Sequence, residues 1–224
     1  MRNYRKLPAV VVGVLLSIAL CARADVKVTV DHNDNDHATA EFKFKTVPAP
    51  AKDDAAAKAK VSIVSGEKDD NGGDVDKVTD GKLPGEQDQP EENFFFNAGT
   101  EGGRLLIDLA KAIEIKQVNT YSWHPNTRGP QFYKLYAAEG SEQGFNGQPK
   151  AGTDPAKAGW KLIASVDTRA KQGAEGGGQY GVSLADPAGA IGKYRYLLFD
   201  MYRTEADDDF GNTFYSEIDV IEQK

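Results

Sequence analysis

Arg104-Leu105-Leu106-Ile107-Asp108-Leu109, followed by Ile113-Glu114-Ile115 and then by Gln117 to Trp123, alternates in the manner of β-strands over some twenty residues. Leu105, Ile107 and Leu109 fall on one face of an extended chain, because successive side chains of a strand point to opposite sides. The same alternation groups Asn119, Tyr121 and Trp123 in the second run. Further out lie Val61-Ser62-Ile63-Val64, Phe132 to Ala138, Trp160 to Val166, Tyr194 to Met201 and Phe214 to Ile221, all short apolar runs between turn signals. Trp160, Leu162, Ala164 and Val166 share one face of theirs. Strands at such spacing, with no long helical period, predict an all-β fold, a β-sandwich of jelly-roll type.

Upstream, Val26 to Val30 and Ala38 to Lys45 both alternate with a period of two, which predicts an N-terminal β-hairpin extension. Its tip, Asp31 to His37, gathers carboxylates and two imidazoles. It departs from the calcium-loop template, with no glycine at the sixth position and Phe42 at the twelfth, and reads as a solvated turn. Val47 to Lys60, rich in Pro, Ala, Lys and Asp, reads as a linker or a short helix and marks a boundary, with residues 25–60 as hairpin and linker and residues 61–224 as the sandwich. Gly173 to Gly181 reads as a flexible surface loop, since no Gly-x-Gly-x-x-Gly follows a strand and opens a helix there.

The first 24 residues have the three parts of a secretory signal peptide: Arg2, Arg5 and Lys6, then the apolar run Leu7 to Leu20, then Ala22-Arg23-Ala24 as a small-residue cleavage site. The apolar run falls short of the roughly 20 residues that cross a bilayer. Cleavage after Ala24 gives a secreted or periplasmic product with no membrane span. It removes four of the 27 basic residues and none of the 34 acidic ones, leaving a net charge of −11. Such a surface repels phosphate backbones and anionic headgroups, which argues against nucleic acid and membranes as partners. The single cysteine, Cys21, leaves with the leader, so the product has neither a disulfide nor a thiolate nucleophile.

Three groups of residues in order carry a family resemblance: Val78-Thr79-Asp80-Gly81, then Leu106-Ile107-Asp108-Leu109 with Ile113-Glu114-Ile115 and Val118, then Tyr194-Arg195-Tyr196-Leu197 with Ser216-Glu217-Ile218-Asp219-Val220. The stretch Val61 to Lys224 resembles the discoidin or coagulation factor 5/8 type C domains, which include family 32 carbohydrate-binding modules and have the galactose-binding-like jelly roll. Two departures stand out: Lys82 to Asn93 and then Phe94-Phe95-Phe96 replace the tryptophan usual after the Asp-Gly turn, and a terminal disulfide cannot form.

The resemblance implies a shallow sugar site on loops at one end of the sandwich. A sugar needs an aromatic face for its C–H surface and charged or amide groups for its hydroxyls. Trp123, His124, Asn126 and Arg128 supply these within one loop, and Tyr180 and Arg203 complete the candidate set. On this expectation Trp123→Ala or Arg128→Ala lowers sugar affinity and leaves the melting temperature nearly unchanged. The alternative for Trp123 is a place in the core. The resemblance also implies one structural Ca2+ tying Asp80 of the early turn to Glu217 of the last strand. The bland alternatives are a turn-forming aspartate and an exposed strand glutamate. With three histidines, no Gly-x-Ser-x-Gly and no His-Glu-x-x-His, the chain lacks the common nucleophilic and zinc arrangements. Asp207-Asp208-Asp209 reads as a solvated loop or an auxiliary cation site. The function expected is non-catalytic binding, with a glycan or an extracytoplasmic protein as partner; the alternative is a structural module of the envelope or matrix.

Overall fold

The computed structural model describes residues 25–171, 176–205 and 212–224. The expected leader, Gly173 and the cluster Asp207-Asp208-Asp209 lie outside the described residues. Eight strands run in chain order: β1 (Lys27–Asn33), β2 (Lys60–Ser65), β3 (Gly102–His124), β4 (Phe132–Ala138), β5 (Lys161–Asp167), β6 (Gly178–Ala185), β7 (Gly192–Tyr202) and β8 (Tyr215–Glu222). Every pairing is antiparallel, in the order β1-β6-β3-β7-β4-β5, with β2 and β8 added to β3. No helix among the described residues is long and apolar enough to cross a membrane.

β3 is one strand serving two layers. From Gly102 to Asp108, β3 pairs with β2 and β7; beyond Ile115 it pairs with β6 and β8. The register breaks between Asp108 and Ile113. There Ala110 adopts a φ of 64°, and Asp108 Oδ1 accepts its N–H at 2.9 Å. The fold-over closes a sandwich around Leu105, Ile107 and Ile115 of β3, Val182 and Leu184 of β6, Leu197 and Phe199 of β7, and Ile218 and Val220 of β8.

Three sequence expectations are corrected. The alternation in β5 changes phase: Leu135 pairs with Ala164 but Tyr136 with Leu162, so Ile163 is an extra residue. Ala164 and Val166 are therefore buried while Leu162 is 45% exposed, and Trp160 joins a separate cluster with Val64, Leu106, Tyr136 and Leu198.

The expected N-terminal hairpin does not form. β1 pairs with β6 instead, and residues 38–45 run through turns and bends with Phe42 at a φ of 47°. Phe42 meets Trp123 edge-on, with ring centroids 5.6 Å apart, and Phe44 stacks on Tyr121 at 6.2 Å. Burying Phe42 fully and Phe44 in part on the outer face of β3 outweighs the backbone bonds that a hairpin would make. The following segment is packed as well: Val47 and Ala56 are buried, and Ala55 N donates to Val220 O.

Gly178–Ala185 is a strand, paired on both sides by β1 and β3, where a flexible loop is expected from its glycines. A Cβ on Gly181 would lie 2.8 Å from the Phe44 ring. The glycine that weakens the strand signal is what admits Phe44 over Tyr121.

Candidate functional site

Because β3 doubles back at Ala110, its first and last residues lie at the same end of the sandwich, and the loops there interlock. Thr204 Oγ1 donates to Thr127 O at 2.7 Å, Asn35 Nδ2 to Pro125 O at 3.0 Å, and Asn212 Nδ2 to Asn97 O at 2.8 Å. The turn after β1, expected to be solvated, is exposed at residues 34–37 and is tied to the β3–β4 loop through Asn35.

The aromatic loop nominated for sugar stacking is part of this lock. Trp123 is 5% exposed and lies in a cluster with Phe42, Val47 and Tyr121. It offers no ring face to solvent, because the N-terminal segment covers the outer face of β3. His124 is buried edge-on against Phe214, at 4.7 Å, and its Nδ1 accepts from Asn126 N. Burial first, and then the nearby Arg128 charge, push its pKa down to about 4, so the ring is neutral at physiological pH. The Arg128 guanidinium lies 4.1 Å from the Phe214 centroid and 4.6 Å from that of Phe95, and its Nε donates to Asn212 O. Tyr180 is buried, stacks on His32 at 4.2 Å and donates to Gly176 O. Of the six nominated residues, Asn126 is exposed, and Arg203 is half-buried in an ion pair with Glu101 at 3.1 Å.

An open cleft of about 330 Å³ lies beside that ion pair, lined among others by Glu101, Gly102, Arg104, Asp200 and Tyr202. Arg104 Nε and Nη2 donate to the two oxygens of Asp200 at 2.8 and 3.2 Å. Its Nη1 donates to the carbonyls of Pro149, Lys150 and Thr153, each at 2.9 Å. Tyr202 Oη donates to Asp200 Oδ2 at 2.7 Å. These bonds fix a charged wall before any ligand arrives. The floor is glycine by necessity: a Cβ on Gly102 would lie 2.3 Å from Met201 O, and one on Gly103 would lie 2.4 Å from the Phe96 ring.

The nominated metal pair lies elsewhere, on the outer face of β3 and β8 under residues 48–56. Glu217 and Asp219 are both fully buried, where Glu217 has an exposed strand position as its bland reading. Gly81 N donates to Glu217 Oε2 at 3.1 Å, so the Asp80-Gly81 turn does meet the last strand. Ala51 N and Tyr121 Oη donate to Asp219 Oδ2, and Val220 N and Ala56 N to Asp54 Oδ1. Glu217 Oε1, Asp219 Oδ1 and Asp54 Oδ2 are buried with no hydrogen-bond partner. Burial, and then the charges of Asp219, Asp80 and Asp54, raise the Glu217 carboxyl to about 9; burial raises Asp219 to about 7. The Asp80 carboxylate is turned to its own loop, accepting from Lys82 N and lying 3.7 Å from Lys77 Nζ. Among the described residues no three His, Cys, Asp or Glu side chains converge as a metal-ligand group.

Among solved structures, the chain is similar to carbohydrate-binding and lectin modules. No family model matches the chain, and no curated protein matches it. The family 32 carbohydrate-binding module CpGH89CBM32-6 produced by Clostridium perfringens is 15% identical, with a TM-score of 0.43, covering 76% of this chain and 100% of that one. The Streptococcus pneumoniae fucose-binding module SpX-3 is 12% identical, with a TM-score of 0.47, covering 77% and 99%. The lectin domain of lectinolysin complexed with Lewis B antigen is 12% identical, with a TM-score of 0.46, covering 77% and 98%. The β-sandwich assignment stands on the strand pairing of this chain.

The cleft residues Glu101, Arg104, Asp200 and Tyr202 carry little local signal. Arg104 and Asp200 occupy outward strand positions 96 residues apart, and their pairing is set by the register of β3 against β7.

Proposed function

We propose that the chain is an exported, non-catalytic carbohydrate-binding module that takes a sugar in the cleft beside Glu101 and Arg203. The observation that carries this reading is the pre-bonded charged wall. Arg104 is held by Asp200 and by backbone carbonyls, Asp200 is held by Arg104 and Tyr202, and Glu101 and Arg203 stand at the rim. The cleft falls within the roughly 300–1,000 Å³ typical of small-ligand sites. Hydroxyl groups are well matched to such a wall, because bonds to charged groups compete best with water. Recognition here is polar, with Tyr202 as the aromatic contributor in place of Trp123. The buried, neutral His124, held at both its ring and its loop, supports a binding role over a proton-transferring one. The signal-like leader supports action outside the cytoplasm.

We also infer that the acid pocket holds Ca2+ in the exported protein. The buried carboxyl oxygens without partners suit a hard cation. Glu217 and Asp219 would be its carboxylate ligands with backbone carbonyls, and Asp80 would join by turning from Lys77. The ion would neutralise buried charge and tie the early turn to β8.

A glycan array probed with the purified protein tests the carbohydrate reading, followed by titration of the best ligand against Glu101→Ala and Arg203→Ala. Each substitution is expected to weaken binding about tenfold, the effect of losing one charge-assisted bond. The melting temperature should hold, because the Glu101 side chain is 82% exposed. A blank array, or full affinity in both variants, overturns the assignment of this cleft.

A further inference from the structure

β1 stands first in the sheet order, and β6 is its one strand partner among the described residues. Its other edge is open: no backbone bond outside the ladders among the described residues involves Lys27 to Asn33. Edge strands are normally blunted by proline, by a bulge or by being very short, because an open edge templates pairing with another chain. β1 runs seven residues in unbroken register and contains no proline. It also exposes Val28 at 38% and Val30 at 44%, two of the three large hydrophobic residues exposed among the described residues.

We propose that β1 is a docking edge for a second copy of this chain, the two β1 strands pairing antiparallel about a two-fold axis through Thr29. The register follows from the residues. Only pairings of odd with odd and even with even positions keep the valine side of both strands on one face. Centred on Thr29, this sets Val28 against Val30 and Lys27 against Asp31, and the two-fold repeats each pair. Centring on Val28 sets Asp25 against Asp31, two like charges; centring on Val30 sets Val28 against His32. The Thr29 register is thus the one in which charge and apolar surface both match. Asp31 is already oriented for it: its Oδ2 accepts from Thr46 N and Val47 N, which leaves Oδ1 for the lysine.

Antiparallel pairing turns the loop ends of the two copies to opposite poles. If the clefts bind sugar, the dimer bridges two glycan surfaces instead of gripping one twice. That consequence rests on the carbohydrate reading, whereas the dimer does not.

The test uses protein expressed from the full sequence in a Cys21→Ala background. Sedimentation velocity from about 1 to about 100 µM is expected to show a monomer–dimer equilibrium. Val30→Lys alters both symmetric valine pairs at a solvent-exposed position and should raise the dissociation constant about tenfold or more, with an unchanged circular dichroism spectrum. Thr29→Cys gives the register directly. Residues facing each other across antiparallel strands have Cα atoms about 4.5–5.5 Å apart, within disulfide reach, so mild oxidation should trap a covalent dimer. Leu162→Cys, on the exposed edge strand β5, should not be trapped. A monomer at every concentration overturns the proposal, and so does a dimer that resists Val30→Lys or is trapped through Leu162→Cys and not Thr29→Cys.

Discussion

Trp123→Ala is expected to destabilise the protein by about 3–5 kcal/mol, the range for a large aromatic removed from a packed interior. For a domain of this size that corresponds to a fall of about 10 °C in the melting temperature. The expectation from sequence is the opposite, a loss of affinity without a loss of stability. The structure reverses it because Phe42, Val47 and Tyr121 surround the indole and leave it 5% exposed. Truncation leaves a cavity on the outer face of β3 and frees the covering residues 38–48, including Phe42, which is fully buried. The indole N–H has no hydrogen-bond partner in its buried position, so Trp123→Phe, which removes that N–H, should cost less than Trp123→Ala. Thermal unfolding of the parent and both variants, with limited proteolysis to follow residues 38–48, checks this. Equal melting temperatures for the parent and Trp123→Ala would return Trp123 to the surface and reopen its role as a stacking platform.

Trp123 also shows where sequence reading stops. A period of two separates the faces of a strand but does not say what covers the second one. The alternation of Leu105, Ile107 and Leu109 correctly marks the core face, since the main core is made by neighbouring strands with the same pattern. The outer face of β3 near Tyr121 and Trp123 is buried by a segment some 80 residues away whose own alternation reads as a hairpin. Gly181 is silent for a related reason: its function is space for Phe44, and space has no periodicity. The position of the nominated acids is half legible. Ser216-Glu217-Ile218-Asp219-Val220 places both acids on one face, and the Asp80-Gly81 turn does reach Glu217. That the face is closed by residues 48–56, and that Asp54 joins it, follows from the path of the N-terminal segment. Arg104 and Asp200 are ordinary charged strand positions until β3 and β7 are in register. The export reading rests on the first 24 residues, outside those described.

In chelator, the melting temperature is expected to fall as pH rises from about 5 to about 9, and saturating Ca2+ at the alkaline end should restore it. Glu217 holds its proton up to about 9 in the folded chain, against 4.5 as its ordinary value, and Asp219 up to about 7 against 3.8. Between those limits the folded state binds more protons than the unfolded state, so unfolding releases protons and stability declines with rising pH. The contribution is complete below the ordinary carboxyl range and is lost as pH climbs through the raised values. A cation bound between these acids would take over the protons' task. At about 100 times its dissociation constant it adds roughly 2.7 kcal/mol, a rise of some 5–10 °C for a domain of this size. Glu217→Gln keeps the shape, removes the titrating group and weakens the ion's ligand set. It should therefore flatten the pH dependence in chelator and abolish most of the calcium response. Differential scanning calorimetry of the parent and Glu217→Gln, with and without Ca2+, separates the two claims. A pH slope without any calcium response would leave the pocket as a pair of protonated acids and remove the metal. A flat profile in chelator would show that Glu217 and Asp219 are ionised when folded, and that residues 48–56 do not seal them from water.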